Sequence, residues 1–381
     1  MFFKKQEKKT GVVFDVGTAS VSATIFEIDG TDQRPSVKKT LRKFHKTAVT
    51  RDTSHLSRSA VGQFSELVRE IDALLKGVVP TYYVVGLSSI FYLGKTETIS
   101  KKWETPKTIA ASDIESFIEE GKQAFLSGLD RADVTVFETL PMGILLNGYA
   151  VETPAGKHAS ELELSIHYAA TSRELYDAFV SVIWSMHRGT EVRFSTFPIA
   201  SWLVLKEMLH SDRSGILVDI GSELTEVAFL KNGIIESITS LPFGIMNILF
   251  RIAESERVDL ENALSLLKGY TGGVLEAGAA ERIRGVLKKE LHSWQEIFER
   301  VWQKASQESM SNITMFFLGG GSLVSDLKNA VIPPLLHPDL ARNLTATVIA
   351  PEAFRDKFKE YCCFDGPGDF GLLSLIVSLR L

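Results

Sequence analysis

The feature that most constrains the fold is a repeat that lies about half a chain apart. Residues 13–30 read VFDVGTASVSATIFEIDG, and residues 217–233 read LVDIGSELTEVAFLKNG. In both copies an alternating strand follows and ends in a turn that contains glycine. A duplicated strand–turn–strand unit predicts two similar domains whose turns face each other across a cleft. The equivalent residues are Asp15 and Asp219, Gly17 and Gly221, and Thr18 and Ser222.

The remaining hydrophobic pattern alternates between the period of strands and the period of helices, which predicts an α/β protein. A length of 381 residues suggests roughly two or three domains. Thr171 and Glu174 have the spacing of a helix capping box, and Asn147-Gly148 and Asn232-Gly233 indicate tight hairpin turns. We predict strands at 11–16, 21–28, 81–87, 161–170, 214–221 and 313–318, and helices within 64–75, 112–127 and 287–301.

Basic residues are concentrated at the start of the chain. The first 60 residues contain twelve Lys or Arg and six Asp or Glu, although the net charge of the whole chain is −5. This asymmetry favours an anionic partner, either a membrane surface or an acidic protein, and the alternative is a solvated loop. Nucleic acid is disfavoured because stacking aromatics are not interleaved with the basic residues. We predict that His45 and His55 are solvated in this segment.

Composition argues against several other classes of protein. Cys362 and Cys363 are adjacent and cannot build a disulfide framework, so we expect buried thiols and a reducing compartment. The eight histidines show no zinc-binding spacing, which disfavours a dedicated metal cage. No apolar stretch of the secretory type follows the basic start. The uncharged run at 77–94 is predicted to be a strand and a loop rather than a membrane span.

The repeated turn carries the residue types of an anion-binding site. Each copy has an aspartate at the end of a strand, a glycine that lets backbone N–H groups approach an anion, and a hydroxyl donor. The two aspartates would hold Mg²⁺ through water, because Mg²⁺ keeps much of its hydration in proteins. Two facing turns would hold a triphosphate from both sides. The candidate ligands are Asp15, Gly17, Thr18 and Ser20 in the first turn, and Asp219, Gly221, Ser222 and Thr225 in the second.

A triple glycine offers a third part of such a site. Gly319, Gly320, Gly321 and Ser322 follow a predicted buried strand and precede a predicted helix. Glycines there allow the flat approach of an adenosine, or of a phosphate at the helix N-terminus. The alternative is a plain connection between a strand and a helix. The two repeated turns make the adenosine interpretation the better supported one.

These three segments, in this order, resemble the motifs of the actin-like ATPase superfamily. DVGTAS (15–20) resembles its first phosphate motif, DIGSELT (219–225) its second, and FFLGGGS (316–322) its adenosine motif. STFPIASW (195–202) resembles the helix that connects to the second phosphate strand. The resemblance implies a two-lobed α/β fold of duplicated RNase H-like domains with ATP and Mg²⁺ between the lobes. It assigns no catalytic residue.

The middle of the chain resembles one branch of the superfamily. Residues 138–168 resemble the inserted subdomain of FtsA, the bacterial cell-division actin. Residues 241–254 and 263–270 resemble FtsA and PilM, an FtsA-like component of type IV pilus assembly, about equally. The short start MFFKKQEKK and the loss of glycines in the second phosphate turn are more similar to PilM. The choice between the two stays open.

The resemblance also implies a division of the chain into four parts. Each lobe would carry one phosphate turn, and the adenosine motif would lie in the second lobe. The parts are a basic tail at 1–10, a first lobe at 11–92 with 171–210 and 366–381, an inserted FtsA-type subdomain at 93–170, and a second lobe at 211–365.

The sequence departs from the superfamily where nucleotide is used. Residues 222–224 (SEL) replace two glycines and a threonine of the second phosphate motif, and a glutamate beside a triphosphate repels it unless it points away. Phe197 stands where related chaperone ATPases have a glutamate that helps to order the attacking water. Leu264 replaces a glutamate near the adenosine, although Lys268 would still reach the ribose. We therefore expect ATP binding with slow or absent hydrolysis.

The resemblance implies an ATP-binding scaffold that links the membrane to a cell-division machine, as FtsA does. The alternatives are a PilM-like cytoplasmic component of type IV pilus assembly and a nucleotide-free adaptor. A metabolic kinase is disfavoured because no acceptor-activating aspartate is evident, and a chaperone ATPase because no substrate domain follows. The implied partners are membrane-bound division or pilus assembly proteins and further copies of the chain in a filament.

We also predict a peripheral membrane contact through the N-terminus, at the inner face of the cell membrane. Phe2 and Phe3 would insert while the lysines among residues 4–9 contact anionic headgroups. At ~1 kcal/mol for each lysine, the attachment would be weak and sensitive to salt. A disordered tail is the alternative.

Overall fold

The computed structural model describes residues 8–30, 32–45, 53–130, 133–209, 214–307, 310, 312–331 and 344–379. Its strands are β1 (Lys9–Val16), β2 (Ser20–Ile28), β3 (Pro35–Phe44), β4 (Tyr82–Leu87), β5 (Leu93–Thr108), β6 (Val134–Leu146), β7 (Tyr149–Ala150), β8 (His158–Ser172), β9 (Glu191–Thr196), β10 (Gly215–Ile220), β11 (Thr225–Lys231), β12 (Ile234–Leu241), β13 (Thr314–Leu318) and β14 (Thr345–Val348). Its α-helices are α1 (Thr53–Leu75), α2 (Ala111–Ser127), α3 (Arg173–Met186), α4 (Phe197–Leu205), α5 (Ile245–Glu256), α6 (Leu260–Thr271), α7 (Ala277–Gln307), α8 (Ser325–Ala330) and α9 (Phe370–Ser378).

The first sheet has the strand order β3-β2-β1-β4-β9. The strands β1, β2 and β3 form an antiparallel meander, whereas β4 and β9 run parallel to β1. Side chains of β1 are buried on both faces, because Val12 and Phe14 join a core with α1 and α3, and Val13 joins a core with α4 and α9. The continuous apolar run in β1 therefore reflects a sheet that is covered on both sides.

The second sheet repeats this topology with the order β12-β11-β10-β13-β14. The strand β10 pairs antiparallel with β11 and parallel with β13, as β1 does with β2 and β4. The helices α5, α6 and α7 cover one face, where Trp294 and Trp302 are buried. The other face shares a core with the first sheet through α4 and α9. The predicted duplication is confirmed, since two lobes of one topology pack around these two helices.

A third sheet, with the order β5-β8-β6-β7, lies between β4 and α3 in the chain. The helix α2 packs on it through Phe117 and Phe125. The sheet contacts the edge of the second lobe, where the Thr96 hydroxyl donates to the carbonyl oxygen of Ile235 in β12 at 3.0 Å. The similarity of this part to the FtsA insert and the domain boundaries given above stay predictions.

Four strands, β3, β5, β9 and β14, have no counterpart among the predicted strands. The strand β3 contains four of the twelve basic residues of the first 60, so a solvated loop is wrong for Pro35–Phe44. The strand β5 contains 16 residues but few apolar ones, because it forms the edge of its sheet and carries exposed lysines. Charged residues on an edge strand prevent pairing with other chains. Such a strand gives little of the hydrophobic alternation from which strands are predicted.

The predicted capping box at α3 is wrong by one residue. The hydroxyl of Ser172 accepts a hydrogen bond from the Leu175 N–H at 3.3 Å and caps the helix. Thr171 still belongs to β8, and its hydroxyl donates to the carbonyl oxygen of Phe91 at 2.6 Å. The continuous β-ladder of β8 therefore overrides the local helix-start signal.

Two predicted side-chain environments are also wrong. His45 is 8% exposed rather than solvated, because β3 delivers it to the first turn. Cys362 and Cys363 are joined to each other in a disulfide, and Cys363 is exposed. They are therefore not a pair of buried thiols. His55, in contrast, is partly exposed at the start of α1.

The two apolar segments that bear on membrane insertion form parts of the core. The uncharged run at 77–94 contains β4 and the 3₁₀ turn Ser89–Phe91, as predicted. The C-terminal α9 is buried among both sheets. Among the residues described here, no helix combines the length and the apolar content that crossing a bilayer requires.

Candidate functional site

The first turn joins β1 to β2. The Gly17 N–H donates to the carbonyl oxygen of Ser20 at 3.0 Å, which closes a four-residue turn. Asp15 is the penultimate residue of β1 and lies opposite Ser22 in β2. Thr18 lies within the turn and is 7% exposed. The first set of predicted ligands is thus gathered at one strand end.

His45 braces this turn from behind. Its Nε2 lies 3.2 Å from the carbonyl oxygen of Gly17, and its backbone N–H donates to the carbonyl oxygen of Ala19 at 2.9 Å. The Nδ1 lies 2.9 Å from the hydroxyl of Ser59 in α1. Burial lowers the pKa of His45, and a neutral ring that donates through Nε2 and accepts at Nδ1 satisfies both partners. The sequence does not reveal this role, because His45 and Gly17 meet only through the β2–β3 pairing.

The second turn joins β10 to β11 with the same geometry. The Gly221 N–H donates to the carbonyl oxygen of Leu224 at 3.0 Å, as Gly17 does to Ser20. Asp219 lies opposite Glu226 in β11, as Asp15 lies opposite Ser22. The repeat that is visible in the sequence is therefore a repeat of one turn conformation.

The surroundings of the second turn are different. The N-terminus of α5 packs against it, and the N–H groups of Ile245 and Met246 donate to the carbonyl oxygens of Gly221 and Ser222 at 3.1 and 2.9 Å. Gly244 is required for this approach, because a Cβ there would lie 2.2 Å from the Ser222 carbonyl oxygen. The α5 N-terminus thus satisfies its own free N–H groups with carbonyls of the turn.

Thr225 supports the second turn rather than lining a cleft. Its hydroxyl donates to the carbonyl oxygen of Phe243 at 2.9 Å, and the residue is 0% exposed. A hydroxyl that is fully buried and already bonded has no geometry for a phosphate. The side chain of Ser222 is partly exposed and stays the hydroxyl of this turn that a ligand can reach.

The triple glycine lies directly against Asp219. Gly319 has φ of 77°, and a Cβ there would lie 2.2 Å from the Asp219 Oδ1. A Cβ at Gly321 would lie 2.3 Å from the Ile220 side chain, whereas nothing lies within 4 Å of the equivalent position at Gly320. Gly319 and Gly321 therefore pack on the end of β10, and Gly320 presents an open backbone surface. Ser322 closes the turn from inside, because its hydroxyl donates to the Gly319 carbonyl oxygen at 2.7 Å.

A loop before α9 connects the triple glycine to the first lobe. A Cβ at Gly368 would lie 3.6 Å from the Cα of Gly320. The next residue, Asp369, is 4% exposed and accepts from the Arg42 guanidinium at 2.6 Å. Arg42 also donates to the hydroxyl of Ser22 at 2.7 Å. This chain of contacts joins all three predicted motifs, and the sequence alone does not single out Arg42 or Asp369.

The two turn aspartates share a partly buried, electrostatically coupled environment. Burial raises the pKa of Asp15 to about 7; Arg42 opposes this, and the charges of Asp219 and Asp369 add to it. Burial raises the pKa of Asp219 to about 6. Because both carboxyl groups are difficult to ionise, a bound cation would stabilise their ionised forms and lower their pKa values. The structure therefore brings the predicted metal-binding aspartates to one place.

Phe197, which stands where related chaperone ATPases have a glutamate, lies beside Asp15. The residue is 5% exposed at the start of α4. Its ring contacts the backbone of Gly86 and Gly371, where an added Cβ would lie within 3.0 Å of it. The Asp15 Oδ2 lies 3.4 Å from the same Cβ position at Gly371. An apolar ring in this place cannot accept a proton from water.

Glu226 crosses between the lobes behind the second turn. Its Oε1 accepts from the Tyr92 hydroxyl at 3.1 Å. Burial raises the pKa of Glu226 to about 8, the charge of Asp219 adds to this, and the hydrogen bond from Tyr92 opposes it. A narrow pocket beside it is lined by Phe197, Pro198, Ser201, Leu217, Asp219, Glu226, Ala228 and Leu318.

A second buried glutamate, Glu138, holds the entry to α4. Its carboxylate accepts from the Ser195 hydroxyl at 2.6 Å and from the Thr196 N–H and hydroxyl at 3.1 and 2.8 Å. Burial raises the pKa of Glu138 to about 7, and these hydrogen bonds oppose the shift. Glu138 belongs to β6, so it fixes the third sheet to the start of the helix that carries Phe197.

Lys268, the predicted ribose ligand, lies in α6. It is exposed on α6, and its carbonyl oxygen accepts from Gly272 in the helix cap. The helix α6 reaches the segment after the triple glycine through the Tyr270 hydroxyl, which donates to Asp326 at 3.3 Å. Leu264 packs against the core of the second lobe. A ribose contact by Lys268 stays a prediction.

The residues at the site fit a hydrated Mg²⁺ ion with a nucleotide. Mg²⁺ is commonly bound by one or two carboxylates with waters and phosphate oxygens, and Asp15 and Asp219 are two coupled carboxyl groups with raised pKa values. No group of three or more His, Cys, Asp or Glu side chains within the described ranges is arranged to hold a metal by itself.

Solved structures resemble the fold along nearly its whole length. A PilM–PilN type IV pilus biogenesis complex matches with a TM-score of 0.62 and 18% identity over 97% of this chain and 98% of that chain. The chain has the actin-like ATPase fold. The ethanolamine utilization protein EutJ from Carboxydothermus hydrogenoformans matches with a TM-score of 0.50 and 14% identity over 97% of this chain and 89% of that chain. No family model and no curated protein matches the sequence.

Proposed function

We propose that this chain is an ATP-binding scaffold and a PilM-like cytoplasmic component of type IV pilus assembly. The observation that carries nucleotide binding is the convergence of Asp15, Asp219 and the triple glycine between two lobes of one topology. The pilus role is supported by the likeness to the PilM–PilN complex across nearly all of both chains. That likeness favours the pilus role over an FtsA-like role in cell division.

In the proposed complex the first turn does most of the phosphate binding. The N–H groups of residues 18 and 19 and the hydroxyls of Thr18 and Ser20 would contact phosphate oxygens, and Asp15 and Asp219 would hold Mg²⁺ through water. The bound cation would neutralise charge on the phosphates. The open backbone of Gly320 would face the adenosine. The Ser222 hydroxyl is the partly exposed donor that the second turn offers.

Slow or absent hydrolysis is part of the proposal. Hydrolysis needs a group that positions and deprotonates water. Phe197 offers no such group, and Glu226 is bound to Tyr92 with a pKa raised to about 8. The nucleotide would therefore act by holding the two lobes together, as in ligand-driven domain closure. Nucleotide binding would then change the affinity of the chain for a membrane-bound assembly protein or for further copies of the chain.

A nucleotide-free adaptor is the second candidate. It is favoured by the second turn, where α5 occupies the carbonyl oxygens and Phe243 occupies the Thr225 hydroxyl. In that case the turn conformation that the two lobes share would serve only to join the lobes, and contacts with other proteins would carry the function.

Calorimetry and a phosphate-release assay on one preparation test the proposal. We expect MgATP binding in the micromolar range, loss of binding in Asp15→Ala, and turnover well below the ~1 per second of ordinary enzymes. The control variant Asp130→Ala changes a residue that is distant from both turns in the sequence, and it should bind MgATP normally. Turnover at ordinary enzyme rates would contradict the scaffold, and absence of binding in the wild type would leave the nucleotide-free adaptor.

A further inference from the structure

One end of the first lobe combines exposed apolar side chains with cations. The parallel strands β1, β4 and β9 all begin at this end, where Gly11 lies beside Tyr82 and Tyr82 beside Glu191. The Thr81 N–H donates to the carbonyl oxygen of Thr10 across the same edge. We call this end the basal surface, and it comprises Lys9, Leu74, Lys76, Val78, Val79, Trp184, Met186 and Arg188.

The apolar residues of the basal surface come from two adjoining segments. Val78 and Val79 precede β4 and are 50% and 62% exposed, and Trp184 and Met186 end α3 and are 47% and 41% exposed. The indole N–H of Trp184 donates to the carbonyl oxygen of Thr190, just before β9. Because β4 and β9 are neighbours at about 4.8 Å, the segments that lead into them emerge side by side.

A buried hydrogen-bonded group fixes the two segments to each other. His187, which follows Met186, lies with Nδ1 at 2.7 Å from the Tyr83 hydroxyl and Nε2 at 3.1 Å from Asp72 of α1. The end of α1, the start of β4 and the end of α3 are thereby held as one rigid unit. The exposed apolar side chains are part of a built surface.

The charge of the basal surface is positive. Lys9, Lys76 and Arg188 are exposed, and none of the three has an ion-pair partner within the described part of the chain. The nearby acids are engaged, since Asp72 is bonded to His187 and Glu191 is paired with Arg193 at 2.7 Å. Aromatic and aliphatic side chains with free cations at the rim match the boundary between headgroups and acyl chains.

We propose that the basal surface docks on an anionic lipid bilayer. A bilayer suits the surface better than a protein groove does, because its apolar side chains project from two adjoining segments at the tip of the lobe. Lysine and arginine attract anionic headgroups, and tryptophan prefers the interface.

This inference goes beyond the proposed function and leaves the nucleotide site accessible. The turns lie at the carboxyl ends of β1 and β10, and the basal surface lies at the amino ends. The eight residues of β1 separate the two by roughly 26 Å at ~3.3 Å per residue. A docked protein would therefore present the nucleotide end of the first lobe away from the membrane.

Vesicle flotation tests the proposal with the full chain at low salt. We expect flotation with vesicles of phosphatidylcholine and phosphatidylglycerol, little with phosphatidylcholine alone, and loss at high salt. The variant Lys76→Glu/Val79→Glu/Arg188→Glu should bind at least tenfold more weakly, since each lost cation is worth about fivefold at low salt. The matched variant Lys288→Glu/Lys289→Glu/Val274→Glu changes the same charge on the second lobe and should float like the wild type.

Two further readouts keep the outcome decisive. Trp184 is the half-exposed tryptophan of the surface, so vesicles should shift the fluorescence emission to the blue, and Trp184→Phe should lose most of that shift. MgATP affinity should be equal in both triple variants, which separates failure here from failure of the nucleotide site. The proposal is overturned if the wild type does not float, if both triple variants weaken equally, or if Phe2→Ser/Phe3→Ser alone abolishes binding while the basal variant binds normally.

Discussion

The two turns share one backbone and differ in what surrounds them. Each closes with the same hydrogen bond, from Gly17 to Ser20 and from Gly221 to Leu224. The first is braced by the His45 imidazole, whose Nε2 lies 3.2 Å from the carbonyl oxygen of Gly17. The second is packed against the N-terminus of α5, and its Thr225 hydroxyl is buried in a bond to Phe243. The duplication therefore preserves the conformation of the turn, whereas the contacts around the turn differ between the two copies.

The residues opposite the two aspartates extend this contrast. Ser22 accepts from Arg42, which also binds Asp369 beside the triple glycine. Its counterpart Glu226 instead reaches across to Tyr92 of the first lobe. The Ser22 contact thus links the strand after the first turn to the loop beside the triple glycine, whereas Glu226 links the second turn to the opposite lobe. Under the proposed function this gives an asymmetric site, in which the first turn would bind phosphate and the second would supply Asp219 and the join between lobes.

The largest effect should come from filling the space between the triple glycine and Asp219. Gly319→Ala would place a Cβ against the Asp219 Oδ1 at a residue with φ of 77°. We expect a loss of about 3 kcal/mol or more in the free energy of unfolding, from overlap and strained backbone together. Urea denaturation measures it. Gly320→Ala, with nothing within 4 Å of its Cβ, should cost less than about 1 kcal/mol, and equal costs would contradict the described packing.

Glu226, the acid opposite Asp219, should give a pH dependence that its counterpart Ser22 opposite Asp15 cannot give. The pKa of Glu226 is raised to about 8 by burial, so between pH 4.5 and 8 the folded state holds a proton that the unfolded state releases. Stability from this group is complete below the unfolded pKa and is lost as pH rises through the folded pKa. In the wild type the free energy of unfolding should fall between pH 5 and pH 8. We expect Glu226→Gln to make this fall smaller by about 2–3 kcal/mol. The exposed control Glu120→Gln should leave the pH dependence of the unfolding free energy unchanged. If Glu226→Gln shows the same pH dependence as the wild type, the raised pKa of Glu226 is refuted.

A smaller effect should come from the join between the lobes. Tyr92→Phe removes the donor to Glu226 and leaves a buried carboxyl with one partner fewer. We expect a loss of about 1–2 kcal/mol in unfolding free energy. The exposed Tyr149→Phe is the matched control and should be neutral. A neutral Tyr92→Phe would mean that the hydrogen bond across the lobes contributes nothing.

The parts of this account that are local in sequence could be predicted from it. The paired turns, the triple glycine and the core strands carry their signals within a few residues, and they lie where the pattern indicates. The bracing by His45, the pair of Arg42 and Asp369, and the bond between Tyr92 and Glu226 join residues far apart in the chain. Such contacts depend on strand pairing and lobe packing, which no local pattern encodes. The strand β5 escaped prediction because its polar edge lacks hydrophobic alternation.

The same limit applies to the hydroxyls of the site. Thr18 and Thr225 both look like phosphate ligands in the sequence, because both follow the aspartate and glycine of a repeated turn. Only the structure shows that α5 and the residues before it enclose Thr225. The competing partner, Phe243, lies 18 residues later in a different segment.

The most direct test of the asymmetric site is MgATP calorimetry on two equivalent variants, Thr18→Ala and Ser222→Ala. They remove the same hydroxyl from the same place in the two turns. The account predicts that Thr18→Ala weakens ATP binding by about tenfold, as expected for one lost hydrogen bond to a charged group, and that Ser222→Ala weakens it by less than about threefold. Equal losses, or a larger loss in Ser222→Ala, would contradict the claim that the first turn is the main phosphate-binding element.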